Sequence, residues 1–251
     1  MPYKSHIDDY LQKHGFEALR PKAVLFDMDG VLYDSMPNHA VAWQRAMARY
    51  GIAMTAEDAY LTEGQRGVDT IRQMVQTQQG RVISEQEAQL MYDEKTYQFH
   101  ILPEARVMPG IPELMAQMAR DGIAIGVVTG SGQRPLINRL LKDFGQYLDE
   151  RHIVTAYDVT RGKPNPDPYL MGLEKMGNTV LPLPRPLSPC EAIVIENAPL
   201  GVRAGVAAGI FTIAVNTGTL PDEALLSAGA NLLFPSMPAL SDCWTKLASS
   251  W

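Results

Sequence analysis

Short apolar runs without polar alternation recur along the chain, at 23–26, 123–128, 153–156, 192–195, 211–215 and 232–234. Such runs suit strands covered on both faces of a parallel sheet. Stretches with apolar residues three and four apart separate them. One carries Ile111, Leu114, Met115 and Met118, with Pro112 at its start and Gly122 beyond its end; another carries Ile137, Leu140, Leu141 and Phe144; a third carries Tyr169, Leu170 and Leu173. These positions and punctuators predict helices. Strict alternation of strand and helix predicts right-handed crossovers, hence an α/β core with a doubly wound parallel sheet. Gly201, Gly205 and Gly209, four apart, point to close packing of a helix on that sheet.

Residues 37–103 read differently. Ala40, Trp43, Met47 and Tyr50 form one stripe that stops at Gly51; short helical pieces follow near 56–61 and 68–77. Ser84 with Glu87 has the spacing of a capping box, opening a helix that carries Ala88, Met91, Tyr92, Phe99 and Leu102. No strand pattern occurs there. The predicted organisation is a core of residues 1–36 and 104–251 interrupted by an all-helical cap, 37–103, with hinges near 35–37 and 102–105. Residues 6–14 predict a short additional helix, and the proline-rich 182–189 a stiff surface connection.

Composition narrows the partners. At 251 residues the chain can bury a full core, and 46% hydrophobic with 20% charged residues is ordinary for a globular protein. A formal charge of −6 without a Lys/Arg cluster argues against nucleic acid and anionic membranes. Cys190 and Cys243 match neither a disulfide framework nor a metal-ligand spacing. With no signal peptide or spanning segment, a cytoplasmic monomer acting on a small molecule is expected.

The candidate chemistry stands just past the predicted strands, where ligands gather in such sheets. Asp27 and Asp29 follow the first; two apart on an extended chain, they share a side. Their repulsion requires a divalent cation between them or a proton on one. Thr129, Gly130, Ser131 and Gly132 follow the second strand, Lys163 the third, and Glu196 with Asn197 the fourth. An oxygen nucleophile, a metal position, phosphate donors and a cation are the parts phosphoryl transfer requires.

Motif by motif, DMDGVLYDS, VVTGS, GKPNPDPY and IVIENAPLG resemble those of the haloacid dehalogenase superfamily, in its β-phosphoglucomutase-like branch with a helical cap. The resemblance implies that Asp27 forms an aspartyl-phosphate, that Asp29 is general acid and then base, that Thr129 holds a phosphoryl oxygen and that Lys163 bridges nucleophile and phosphoryl group. It also implies Mg²⁺ among Asp27, the Asp29 carbonyl, Glu196 and Asn197. Gly130 and Ser131 are candidate phosphate donors; Arg66, His39 and Lys95 are candidate substrate contacts.

One departure stands out: the fourth motif usually ends in two acids, and here the second is Asn197. Glu63, in the cap loop 61–67, is the candidate to restore the missing charge at the metal. A carboxylate there fills space that a sugar ring needs, and the pair resembles an inorganic-pyrophosphatase offshoot of the branch. The expected function is therefore Mg²⁺-dependent hydrolysis of pyrophosphate or a sugar phosphate. β-Phosphoglucomutase chemistry, and a phosphate-binding protein disabled by Asn197, stay open as alternatives; dehalogenation has no use for Asp29 or a metal.

Overall fold

The computed structural model describes residues 3–131, 134–182 and 184–251; Gly132 of the second motif and Leu183 of the proline-rich segment lie outside them. The elements are α1 (Lys4–His14), β1 (Ala23–Phe26), α2 (Met36–Ala48), α3 (Ala56–Leu61), α4 (Gly67–Gln79), α5 (Glu85–His100), α6 (Ile111–Arg120), β2 (Ala124–Val128), α7 (Arg134–Phe144), β3 (Leu148–Val154), α8 (Asp167–Val180), β4 (Ala192–Glu196), α9 (Pro199–Ala207), β5 (Phe211–Val215), α10 (Asp222–Leu226), β6 (Leu232–Phe234) and α11 (Met237–Ala248). The six strands pair in parallel in the order β3-β2-β1-β4-β5-β6. No helix of the described residues is long and apolar enough to cross a membrane.

Alternation along the strands sorts the core into two layers. Val24, Phe26, Val127 and Ile195 face Leu114 and Met118 of α6 and Leu240 and Trp244 of α11. Leu25, Val128 and Val194 face Tyr169, Leu173 and Met176 of α8 and Ala204 of α9. The additional helix α1 closes the first layer: Tyr10 stands edge-on to Phe211 at 5.3 Å, and its hydroxyl donates to the Gly209 carbonyl at 2.9 Å. Between β1 and β2 the helices α2 to α5 enclose a separate apolar cluster, including Trp43, Met47, Ile71, Val75, Ala88 and Met91.

Several details depart from the sequence pattern. Tyr50 falls beyond the end of α2 and is exposed, so it is not on the buried stripe. Leu102 lies past the end of α5, and Leu170 points outward from α8. Ser84 accepts from the Glu87 amide at 3.1 Å, but the Glu87 carboxylate pairs with Arg81 at 2.5 Å instead of closing the box. The strand expected at 153–156 runs instead from Leu148 to Val154; its first half, with Asp149, Glu150 and Arg151 facing solvent, has no apolar run to mark it. The proline-rich connection is anchored rather than free: Leu187 is buried and its amide donates to the Leu173 carbonyl at 2.9 Å.

Candidate active site

In-register pairing of β1 with β2 and β4 brings three strand ends to one rim. The Asp27 amide still donates to Ile195 and the Thr129 amide to Val154, so both residues leave the sheet with fixed backbones. Lys163, from the loop after β3, reaches across the rim. Its Nζ donates to Asp27 Oδ1 at 2.5 Å, to Glu196 Oε1 at 2.7 Å and to the Val128 carbonyl at 3.1 Å. All three residues are buried. Burial alone would pull the Lys163 ammonium down, but Asp27 and Glu196 together outweigh it and hold it above the ordinary lysine range. For Asp27 burial wins: with Glu196 and Asp29 adding to it, the carboxyl is pushed well up despite Lys163.

Glu196 is saturated. Besides Lys163, its Oε1 accepts from the Tyr169 hydroxyl at 2.8 Å, while Oε2 accepts from the Asn197 and Ala198 amides at 3.0 and 3.1 Å. Those four bonds use the acceptor capacity of a carboxylate. Space for it exists because residue 201 lacks a side chain: a Cβ there would stand 1.8 Å from Oε1. Gly201→Ala is expected to cost about 1–3 kcal/mol by overpacking and to unseat Lys163, which thermal melts and steady-state rates would report together.

A second group surrounds Asp29. The Ser35 hydroxyl donates to Oδ1 at 2.6 Å. His39 Nε2 lies 3.1 Å from the same oxygen, close in charge but off the line of a good hydrogen bond. Lys95 Nζ stands 2.8 Å from His39 Nδ1 and within 5.1 to 5.9 Å of the Phe99, Trp43 and Tyr92 ring centres. Burial would raise the Asp29 carboxyl, but His39, Ser35 and Lys95 overcome it and hold the group at about 2. The same burial pulls Lys95 down against the opposing pull of Glu63 and Asp29.

The loop after α3 is laid directly on the core. Gly64 has φ +85°, and a Cβ there would stand 3.0 Å from Lys163 Cδ. Tyr60 packs against Leu220 and so tightly on Gly218 that a Cβ at 218 would sit 2.6 Å from its ring. Glu63 thereby enters the same small cavity, about 60 Å³, that Asp27, Asp29, His39, Lys95 and Ser131 line. Its carboxyl is raised, chiefly by burial and also by Asp29, against the pull of His39 and Lys95.

Arg66 pairs weakly with Asp69 and Glu85 and does not line the Glu63 cavity, but it borders an adjoining pocket with Thr129, Gly130 and Lys163 as well as the outer groove. Gly130 borders the Glu63 cavity and the groove alike. Buried Thr129 accepts at Oγ1 from the Ser131 amide at 3.0 Å, so that amide is engaged within its own loop. Sequence reasoning passed over Tyr169, taken as a core position, and placed Ser35 only at a hinge; the Ser35 hydroxyl goes to Asp29.

Whether the rim suits a divalent cation can be judged from its donors. Asn197 Oδ1 is buried and without a hydrogen-bond partner among the described residues, which is costly unless something satisfies it. No three His, Cys, Asp or Glu side chains among the described residues are arranged as a metal-binding group. The oxygens at the rim are instead mixed: the second Asp27 oxygen, Asp29 and the Asn197 side-chain carbonyl, with Glu63 in the adjoining cavity that Asp27 and Asp29 line. Hard oxygen donors of this kind fit Mg²⁺.

Against known proteins, a family model described as haloacid dehalogenase-like hydrolase matches residues 21–209. Hexitol phosphatase A of Escherichia coli (strain K12) is 34% identical, the match covering 79% of this chain and 84% of that protein. Beta-phosphoglucomutase of Bacillus subtilis (strain 168) is 28% identical over 78% of this chain and 84% of its own. A solved structure from Bacteroides vulgatus, described as a "Putative beta-phosphoglucomutase", is 48% identical with a TM-score of 0.92, covering 99% of this chain and 97% of that one.

Proposed function

The chain belongs to the haloacid dehalogenase-like hydrolases and is an enzyme, and from that premise we propose that it is a Mg²⁺-dependent phosphohydrolase whose preferred substrate is a compact phosphate, inorganic pyrophosphate foremost. Helices α2 to α5 act as its cap. The observation that carries the choice of substrate is the entry of Glu63 into a cavity of about 60 Å³. There its carboxylate stands beside Asp29, His39 and Lys95 and takes space that a hexose ring would need next to the phosphoryl group.

In this reading Asp27 attacks phosphorus as the bond to the leaving group breaks, giving an aspartyl-phosphate. Lys163, held by Glu196, stays against the nucleophile and the charge that develops on the phosphoryl oxygens. Thr129 and the Gly130 amide receive the phosphoryl group. Asp29, oriented by Ser35 and His39, then takes a proton from water as the aspartyl-phosphate hydrolyses. The metal, when bound, supplies positive charge that draws the anionic phosphoryl group to Asp27. Asp27, Asp29, Asn197 and Glu63 would hold it, since Glu196 has its acceptor sites filled.

The test is a screen of pyrophosphate and phosphate esters with Mg²⁺ and with chelator, repeated on Glu63→Ala. Pyrophosphate hydrolysis is expected to fall about 100-fold and a small generic ester far less; equal losses on both would remove Glu63 from the choice of substrate. The 48% identity to the Bacteroides vulgatus chain supports a mutase as the second reading. A mutase must keep its aspartyl-phosphate from water, so rapid release of free phosphate with β-glucose 1-phosphate excludes it.

A further inference from the structure

A second cavity, about 190 Å³, lies on the far side of Asp29, between the two connections that join the cap to the core. Asp29, Phe99 and Leu136 line both spaces, so they form the partition between them. It is large enough to hold several waters. Asp29, Ser35, Asn38 and Arg139 give it polar walls, the condition under which such a cavity is wet.

Its walls are held apart by named contacts. The Arg139 guanidinium lies over the Tyr33 ring, 4.1 Å from its centre, and donates to the Ala105 carbonyl. Asp143 accepts from the Tyr33 hydroxyl at 2.9 Å and lies 3.5 Å from Arg139. Asn38 donates to the Pro103 carbonyl at 2.8 Å, tying one connection to the other.

We propose that this hinge cavity is a water-binding site that supplies the second half of the reaction while the cap is closed, an inference that rests on the phosphohydrolase reading. The catalytic cavity is filled by the phosphoryl group and leaving group, and the loop at Gly64 lies across Lys163 and Gly130. Water arriving through the partition meets Asp29 on the way. Its oxygen forms the new bond to phosphorus, the bond from phosphorus to the Asp27 carboxylate breaks, and the proton passes to the Asp29 carboxylate. Free phosphate and an intact Asp27 result. Hydrolysis then needs no opening of the cap, and the partition sets the balance between hydrolysis and transfer to an alcohol.

Quench-flow with radiolabelled pyrophosphate, reading label bound to protein, tests this. Ala105→Phe, which narrows the hinge cavity, is expected to label at the wild-type rate and lose label about tenfold more slowly. Leu136→Ala, which widens the partition, is expected to lose it faster. Asp29→Asn removes the base of the second step and, with the wild type, serves as control. No label on either the wild type or that control overturns the phosphohydrolase reading and the route with it. Label on the control with unchanged decay in folded Ala105→Phe, or with labelling and decay slowed in parallel, overturns the water route alone. Should Ala105→Phe fail to fold, wild-type decay in Leu136→Ala overturns it.

Discussion

Asp27→Asn is expected to lose turnover by at least about 10⁴-fold while keeping its thermal midpoint or raising it slightly. The two halves have separate causes. The substitution removes the nucleophilic oxygen, and no other carboxylate meets phosphorus from that side: Glu196 is fully bonded, and Asp29 is held by Ser35 and His39. Stability should not suffer, because burial, Glu196 and Asp29 all disfavour a charge at position 27, and an asparagine carbonyl still accepts from Lys163. Differential scanning fluorimetry and titration with Mg²⁺ in the presence of pyrophosphate would check it. Retained binding without turnover identifies a disabled nucleophile; loss of both would mean that residue 27 mainly holds the rim together.

Lys163→Met is expected to fail in both respects. It leaves Asp27 and Glu196 facing each other in a buried site without their shared cation, and breaking a buried pair in this way costs about 3–5 kcal/mol. For a chain of this size that is a fall in Tm of roughly 10 °C. Turnover should drop by about 10³-fold, since developing phosphoryl charge loses its ammonium. Adding Glu196→Gln separates the roles. The double variant is expected to recover part of the Tm, because one unpaired charge is gone, without recovering activity. Additive losses in Tm would show that the two residues are not energetically linked.

Much of this site was legible because its chemistry sits at strand ends, where sequence order and sheet order coincide. The apolar runs at 23–26 and 192–195 announce β1 and β4, and the polar residues that follow are the ones brought to the rim. What escaped depends on three-dimensional neighbours. Tyr169 reads as one more apolar position of α8, and only the packing of that helix on β1 to β3 turns its hydroxyl toward Glu196. The first half of β3 reads as loop because an edge strand carries charge where inner strands carry valine and isoleucine. Arg66 was singled out because a cation near a phosphate is plausible chemistry; its extended backbone ahead of α4 carries it past the Glu63 cavity to a neighbouring pocket it shares with Thr129 and Lys163. The hinge cavity has no sequence signature, since residues from 28 to 139 enclose it.

The seam of Met36, Tyr60 and Leu220, with Ala224 at its edge, joins cap to core through apolar surface alone. A cap that opens and shuts during turnover would withdraw this hydrocarbon from solvent on shutting, so its closure is expected to carry a negative heat-capacity change and to weaken on cooling. In the cold the shut form would then lose population, and an Arrhenius plot of turnover is expected to bend downward at its low-temperature end even where the chemical step itself is unaltered.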